Sequence, residues 1–156
     1  MANEFSTAGV TVKWAVETTA GTRPTVNYSV IKGIKSTPDM NPEPSSLDVT
    51  DLADKFYKRF IDGLKDLSGS VAFRANLTSD LKTSWEAMYS AYETAKVSGK
   101  ATWFEIAIPN FESFYFAGYP STLGISGFEV DSVAEIDLYI VPNQIEGWDT
   151  ASTTSP

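Results

Sequence analysis

The spacing of apolar residues differs in one segment of the chain from that in the rest, and this difference limits the folds that the chain can adopt. From Asp80 to Ala95, apolar side chains recur every three or four residues, and Gly99 follows as a typical helix-ending glycine. Elsewhere apolar and polar residues tend to alternate, as they do from Val10 to Val16, which is typical of half-buried strands. The sequence therefore predicts a mainly β protein with one amphipathic helix.

The β segments are short and numerous, and turn residues separate them. We predict strands at residues 10–16, 28–35, 56–61, 71–77, 102–108, 113–119, 123–130 and 132–141. About eight strands with one flanking α-helix predict a β-sandwich or partly closed barrel, with Gly33 as a bulge in the second strand. A length of 156 residues predicts a single domain over residues 1–156, in which residues 143–156 form a mobile C-terminal tail.

The composition argues against an enzyme. The chain has no cysteine and no histidine, so it lacks a thiolate nucleophile, the commonest general base and the commonest transition-metal ligand. It also has no glycine-rich phosphate loop and no nucleophile elbow. Asp48, Asp51 and Asp54 are spaced by three without a central glycine, so we interpret them as part of a solvated loop rather than a calcium site. We predict no catalytic, cofactor-binding or metal-ligating residues.

The acidic character of the chain is concentrated in its last third. Up to Lys100 the twelve Lys and Arg residues balance twelve Asp and Glu residues, whereas the remainder has eight acids and no base. The net charge of −8 therefore belongs to residues 101–156. Because Lys and Arg supply most of the affinity for nucleic acids, this part of the chain is expected to repel polyanions rather than bind them.

A long loop is predicted at residues 37–54. It contains Pro38, Pro42 and Pro44, and its apolar residues are not spaced as in a buried strand or helix. Loops of this length inside compact domains are uncommon, and many of them are functional.

Three other motifs allow two interpretations each. The segment KFYKRF at residues 55–60 resembles a stacking platform for single-stranded nucleic acid, but we favour a strand whose basic residues pair with neighbouring acids. The aromatic segment at residues 111–119 suits sugar binding or, as we favour, packing in a core or subunit interface. Glu135 and Asp137 lie on one face of the last strand, where a solvated surface is favoured over a hydrolase pair.

Three segments resemble the major tail tube proteins of phages with long, non-contractile tails. They are STAGVTVKWAVETTAGTRPT at residues 6–25, NPEPSSLDVTDLADKFYKRFIDGLKDLSG at residues 41–69, and EIDLYIVPNQIEGW at residues 135–148. The resemblance covers residues 6 to about 148. It implies a β-sandwich-like fold with one helix, similar to the tube protein of type VI secretion.

The resemblance also implies a structural role. Such proteins form hexameric rings that stack into a hollow tube, in which strands of six subunits make one barrel around a channel. Double-stranded DNA passes through the channel without specific binding. The expected partners are copies of the same chain together with tape measure, tail tip and tail terminator proteins. The expected location is the virion tail, assembled in the host cytoplasm, because no signal peptide and no stretch of roughly 20 apolar residues is present.

Two groups of residues have expected roles in such an assembly. The resemblance implies that the loop at residues 37–54 reaches the neighbouring ring, with Leu47, Val49 and Leu52 as apolar anchors. The proposed contact residues of this inter-subunit loop are Leu47, Asp48, Val49, Thr50, Asp51 and Leu52. Glu135 and Asp137 are the candidates for an acidic lumen that repels DNA phosphates. The alternative function is a monomeric β-sandwich that binds carbohydrate on a phage or cell surface, and a carboxylate-dependent hydrolase is a third.

Overall fold

The structure is a computed structural model that describes residues 9–41, 45–63 and 69–153. These ranges contain nine strands and one helix. In chain order they are β1 Thr11–Val16, β2 Ser29–Ile31, β3 Ile34–Ser36, β4 Ser46–Asp48, β5 Phe60–Asp62, β6 Val71–Asn76, α1 Ser79–Val97, β7 Thr102–Ala107, β8 Ser113–Pro120 and β9 Glu135–Asp149. Pro42, Pro44 and the tail residues 154–156 lie outside the described residues.

Seven strands form one antiparallel sheet in the order β2-β1-β7-β8-β9-β6-β3. The long strand β9 joins its two parts, because residues 135–140 pair with β6 and residues 140–149 pair with β8. The two outermost strands, β2 and β3, follow each other in the chain and are joined by a tight turn at Lys32 and Gly33. The sheet is therefore nearly closed, and the prediction of a mainly β, partly closed barrel with one helix is confirmed.

The main core lies between the inner face of this sheet and the helix. Phe73, Phe104, Phe116 and Leu138 are buried there, and the rings of Phe104 and Phe116 stack with centroids 5.3 Å apart. Aromatic rings of this size bury large apolar areas, so they account for much of the stabilisation of the fold.

The helix matches its prediction closely. The hydroxyl of Thr78 accepts a hydrogen bond from the Leu81 amide at 3.1 Å, which caps the first turn. Gly99 follows the helix with a φ angle of +72°, in the left-handed region that favours glycine. All five positions that define the apolar face are buried, namely Leu81, Trp85, Met88, Tyr92 and Ala95. No helix in the described part of the chain is long and apolar enough to cross a membrane.

A second, smaller cluster covers the opposite face of the sheet. Trp103, Tyr115 and Ala117 are buried there, with Tyr28 packed against them. The buried carboxylate of Glu17 accepts hydrogen bonds from the Trp103 indole at 3.0 Å and the Ala101 amide at 2.8 Å. The aromatic segment at residues 111–119 is thus covered on both faces of β8, and its interpretation as core packing is confirmed for the buried rings of Phe116 and Tyr115.

Two of the predicted elements are wrong. Residues 123–130 form no strand, because this segment contains two glycines and makes no ladder with another described strand. Residues 143–149 are not a mobile tail but the second half of β9. Two register shifts between β8 and β9 interrupt the alternation there, so the pattern of a strand is hidden in the sequence.

Two further strands differ from their predicted bounds. The predicted strand at residues 28–35 is divided by the turn at Gly33, whose φ is +91°. Its two halves pair with β1 and β6, at the two ends of the strand order. The predicted strand at residues 56–61 is reduced to β5, which pairs with β4 inside the predicted loop instead of joining the main sheet.

Candidate assembly surfaces

A two-stranded hairpin, residues 45–63, stands apart from the main sheet, and we call it the arm. Leu47 of β4 lies opposite Ile61 of β5 in an antiparallel register. The hairpin is extended by hydrogen bonds from the Val49 amide to the Arg59 carbonyl at 2.9 Å and from the Gly63 amide to the Ser45 carbonyl at 2.8 Å. Residues 45–54 of the predicted loop are therefore one half of a hairpin.

No residue of the arm is buried, although many of its side chains are apolar. Leu52 is fully exposed, and Phe56 and Tyr57 are 88% and 86% exposed. Leu47, Phe60 and Ile61 are each exposed by more than half. An isolated two-stranded hairpin is only marginally stable in water, and contiguous exposed apolar surface marks interaction sites. The arm therefore has the properties of a segment that a partner covers.

Polar contacts organise the tip of the arm, which comprises residues 49–59. The Arg59 guanidinium binds Asp54 at 2.8 Å and Asp51 at 3.3 Å, which confirms that a base of residues 55–60 pairs with neighbouring acids. Thr50 holds the pKa of Asp48 below its usual value through hydrogen bonds to the carboxylate. The Asp51 amide and then Arg59 lower the pKa of Asp54 in the same way. In the ranges described, no group of three or more acidic side chains is arranged to hold a metal ion.

The six loop residues predicted as subunit contacts all lie in β4 and the tip of the arm. The structure adds the returning half of the arm, with Phe56, Tyr57, Phe60 and Ile61, which are not among the subunit contacts predicted from the sequence. The sequence signal for the three aromatic residues is the aromatic character of KFYKRF, but only the pairing of β5 with β4 places this half of the arm beside Leu47.

The two candidate lumen residues, Glu135 and Asp137, lie two positions apart on β9, and both are ion-paired. Arg74 on β6 binds Glu135 through Nε and Asp137 through a terminal nitrogen, each at 2.9 Å. Lys35 on β3 also binds Glu135, at 2.5 Å. Lys35 and then Arg74 lower the pKa of Glu135. Two acids and two bases cancel, so this cluster carries no net charge at neutral pH.

A second charged cluster holds the C-terminal segment against the sheet. Arg23 pairs with Glu146 and Asp149, and its guanidinium lies 3.9 Å from the centre of the Tyr115 ring. Beneath it, the buried carboxylate of Glu105 accepts hydrogen bonds from the Tyr115 hydroxyl at 3.1 Å and from the amide of Ser152 at 3.0 Å. Burial raises the pKa of Tyr115 to about 12.

Residues 121–134 connect β8 to β9 as an exposed segment that we call the acidic loop. Both ends are fixed, since the Ser121 carbonyl accepts a hydrogen bond from the Trp85 indole at 3.0 Å and the Ala134 carbonyl accepts one from the Leu77 amide at 2.9 Å. Between these ends Val130 is 91% exposed. Other large apolar side chains are exposed nearby, namely Ile125, Phe128 and Val133. Glu129 and Asp131 add charge to this surface.

The fold recurs in phage-tail-like particles. A chain in the cryo-EM structure of the anti-feeding prophage baseplate, 6-fold symmetrised, matches with a TM-score of 0.63 and 6% identity over 94% of this chain and 97% of the other. A chain in the virion of the native gene transfer agent matches with a TM-score of 0.58 and 14% identity over 92% and 98%. A chain in the tail of the empty gene transfer agent particle, refined with C6 symmetry, matches with a TM-score of 0.55 and 15% identity over 88% and 94%.

No protein-family model and no curated protein matches the sequence. At 6–15% identity, the three matches concern the fold. The predicted likeness to phage tail proteins is confirmed at this level, whereas the long, non-contractile type of tail stays a prediction.

Proposed function

We propose that this chain is a structural subunit of a phage-type virion tail, which assembles into stacked hexameric rings and forms a tube through which double-stranded DNA is ejected. The observation that carries the proposal is the arm, an ordered hairpin with exposed apolar side chains and no buried residue. Such a segment adds little to the stability of its own subunit, so its apolar residues are best explained by contact with another copy.

The symmetry of the structural neighbours supports a ring. The baseplate structure is described as 6-fold symmetrised, and the gene transfer agent tail was refined with C6 symmetry. In a ring of identical subunits, one surface binds a different surface of the next copy, and the contact repeats until the ring closes. An arm that reaches a second surface on a neighbour provides this type of contact, and it can also join one ring to the next.

The test of this function is removal of the arm. The Ser45 and Gly63 ends lie side by side, so residues 46–62 can be replaced by a short Gly-Ser linker. We expect the variant to keep the circular dichroism and melting temperature of the wild type, because no buried residue is removed, and to form no tubes in negative-stain micrographs. The control is Lys82→Ala with Glu86→Ala, which removes an exposed ion pair on the helix. Tubes of normal length in the arm variant would show that assembly does not require the arm.

For the channel, we propose that Glu135 and Asp137 line the lumen and keep the side chains of Arg74 and Lys35 neutralised. Replacing them by Gln and Asn leaves these two bases unpaired, which changes the local charge by about two units and attracts DNA phosphates. We expect slower DNA ejection from intact particles that carry Glu135→Gln and Asp137→Asn. Glu86→Gln with Glu93→Gln on the helix is the control. Unchanged ejection would place Glu135 and Asp137 away from the channel.

A further inference from the structure

The tip of the arm combines two aromatic rings with two lysines. Phe56 and Tyr57 are almost fully exposed, and Lys55 and Lys58 flank them. Arg59 is already bound to Asp51 and Asp54, whereas Lys55 and Lys58 take part in none of the ion pairs found among the described residues. The tip therefore presents two exposed rings beside two lysines, and the three bases and two acids of residues 49–59 give it a net charge of +1.

The acidic loop has the complementary properties. Ile125, Phe128 and Val130 supply exposed apolar surface, and Glu129 and Asp131 supply two negative charges. The chain has no Lys or Arg after Lys100, so no base within the loop itself offsets these carboxylates. Both ends of the loop are held by hydrogen bonds to the body of the protein, so docking on it orders little additional chain.

The two surfaces do not cover each other within one chain. If the tip packed on the acidic loop of its own subunit, its rings would be buried, but Phe56 is 88% and Val130 is 91% exposed. Any partner of either surface must therefore come from outside the chain. A contact between different surfaces of two copies is the heterologous type that extends or closes an assembly.

We infer that the arm tip of one copy docks on the acidic loop of another, with Phe56 and Tyr57 against Ile125 and Phe128. Lys55 and Lys58 pair with Glu129 and Asp131 at the rim of the contact. This inference rests on the proposed assembly and names the surface on which the arm binds. Because rim charges act mainly on association and are screened by salt, added salt is expected to slow assembly.

Charge reversal tests the contact. Lys55→Glu with Lys58→Glu gives an arm variant in which both surfaces are acidic, and Glu129→Lys with Asp131→Lys gives a loop variant in which both are basic. Each variant alone should need a protein concentration about tenfold higher than the wild type to form sedimenting tubes, because like charges then face each other. An equimolar mixture of the two should assemble near the wild-type concentration, since each tip then meets a loop of opposite charge.

Circular dichroism and the monomer mass establish that each variant is folded, which is expected because none of the altered residues is buried. Reversal of the exposed helix pair, Lys82→Glu with Glu86→Lys, is the matched control and should assemble as the wild type does. Recovery in the mixture supports the inference. Folded single variants that assemble normally, or a mixture that stays dispersed, would overturn it while leaving tube formation by the wild type intact. Failure of the wild type to assemble would instead contradict the proposed function.

Discussion

Replacing Glu105 by Gln should destabilise the protein in a way that depends on pH. Glu105 is fully buried, and its carboxylate accepts three hydrogen bonds, from the Tyr115 hydroxyl at 3.1 Å, the Ser152 amide at 3.0 Å and the Ser152 hydroxyl at 2.5 Å. A hydrogen bond to a charged group is worth about 1 kcal/mol more than a neutral one, so three bonds lose about 3 kcal/mol. The neutral amide is easier to bury, which leaves a net loss of about 2 kcal/mol in the free energy of unfolding.

The destabilisation caused by Glu105→Gln should vanish in acid. Burial disfavours the charged form of Glu105, but the polar groups of Ser113, Ser152 and Tyr115 outweigh this and hold its pKa below the ordinary value. A carboxylate whose pKa is lower in the folded state stabilises the protein above its unfolded pKa, about 4.3, and this stabilisation is lost as the pH falls through the folded value. The amide that replaces the carboxylate in Glu105→Gln does not titrate. The free energies of unfolding of the wild type and the variant should therefore converge as the pH falls.

The assay is urea denaturation of both proteins at pH 7 and at pH 3. Glu112→Gln is the matched control, because Glu112 is an exposed carboxylate at the end of the same hairpin and its replacement makes the same change of charge. Equal free energies of unfolding for the wild type and Glu105→Gln at pH 7, or a difference that persists unchanged at pH 3, would refute the reasoning.

Three further substitutions test the core and the helix by thermal or urea denaturation. Thr78→Ala removes the helix cap and should lower the free energy of unfolding by about 1 kcal/mol, whereas Thr78→Ser should restore most of it. Gly118→Ala places a Cβ atom 2.7 Å from the Val141 carbonyl oxygen and should cost about 1–3 kcal/mol, whereas Gly124→Ala, with open space around it, should be neutral. Phe116→Ala should cost about 3–5 kcal/mol, and a loss under about 1 kcal/mol would contradict its place at the centre of the core.

The elements that could be predicted from the sequence are those defined by local periodicity. The helix can be predicted because its apolar face and its terminal glycine lie within about 20 residues of each other. The faces of β9 from Glu135 to Ile140 followed from simple alternation, and Ile136 and Leu138 are buried as that pattern requires. Such signals depend on neighbouring residues alone, so they survive folding.

The features that were missed depend on pairing between distant residues. Nothing within residues 28–35 indicates that one half pairs with β1 and the other with β6, since that division depends on the closure of the sheet. The arm was predicted as a loop and a separate strand because β4 and β5 are only three residues each and acquire their structure from each other. The ion pairs of Glu135 and Asp137 with Arg74 likewise required the register between β6 and β9.

The position of β9 in the sheet has a consequence for how the molecule is made. Translation produces this strand after the other six strands of the sheet, yet it lies between β8 and β6 and joins the two parts of the sheet. Before residues 135–149 leave the ribosome, the nascent chain has two disconnected sets of strands, each with an edge that can pair with other chains. Truncated products are therefore expected to aggregate, and only a completed chain can take up the shape of the subunit.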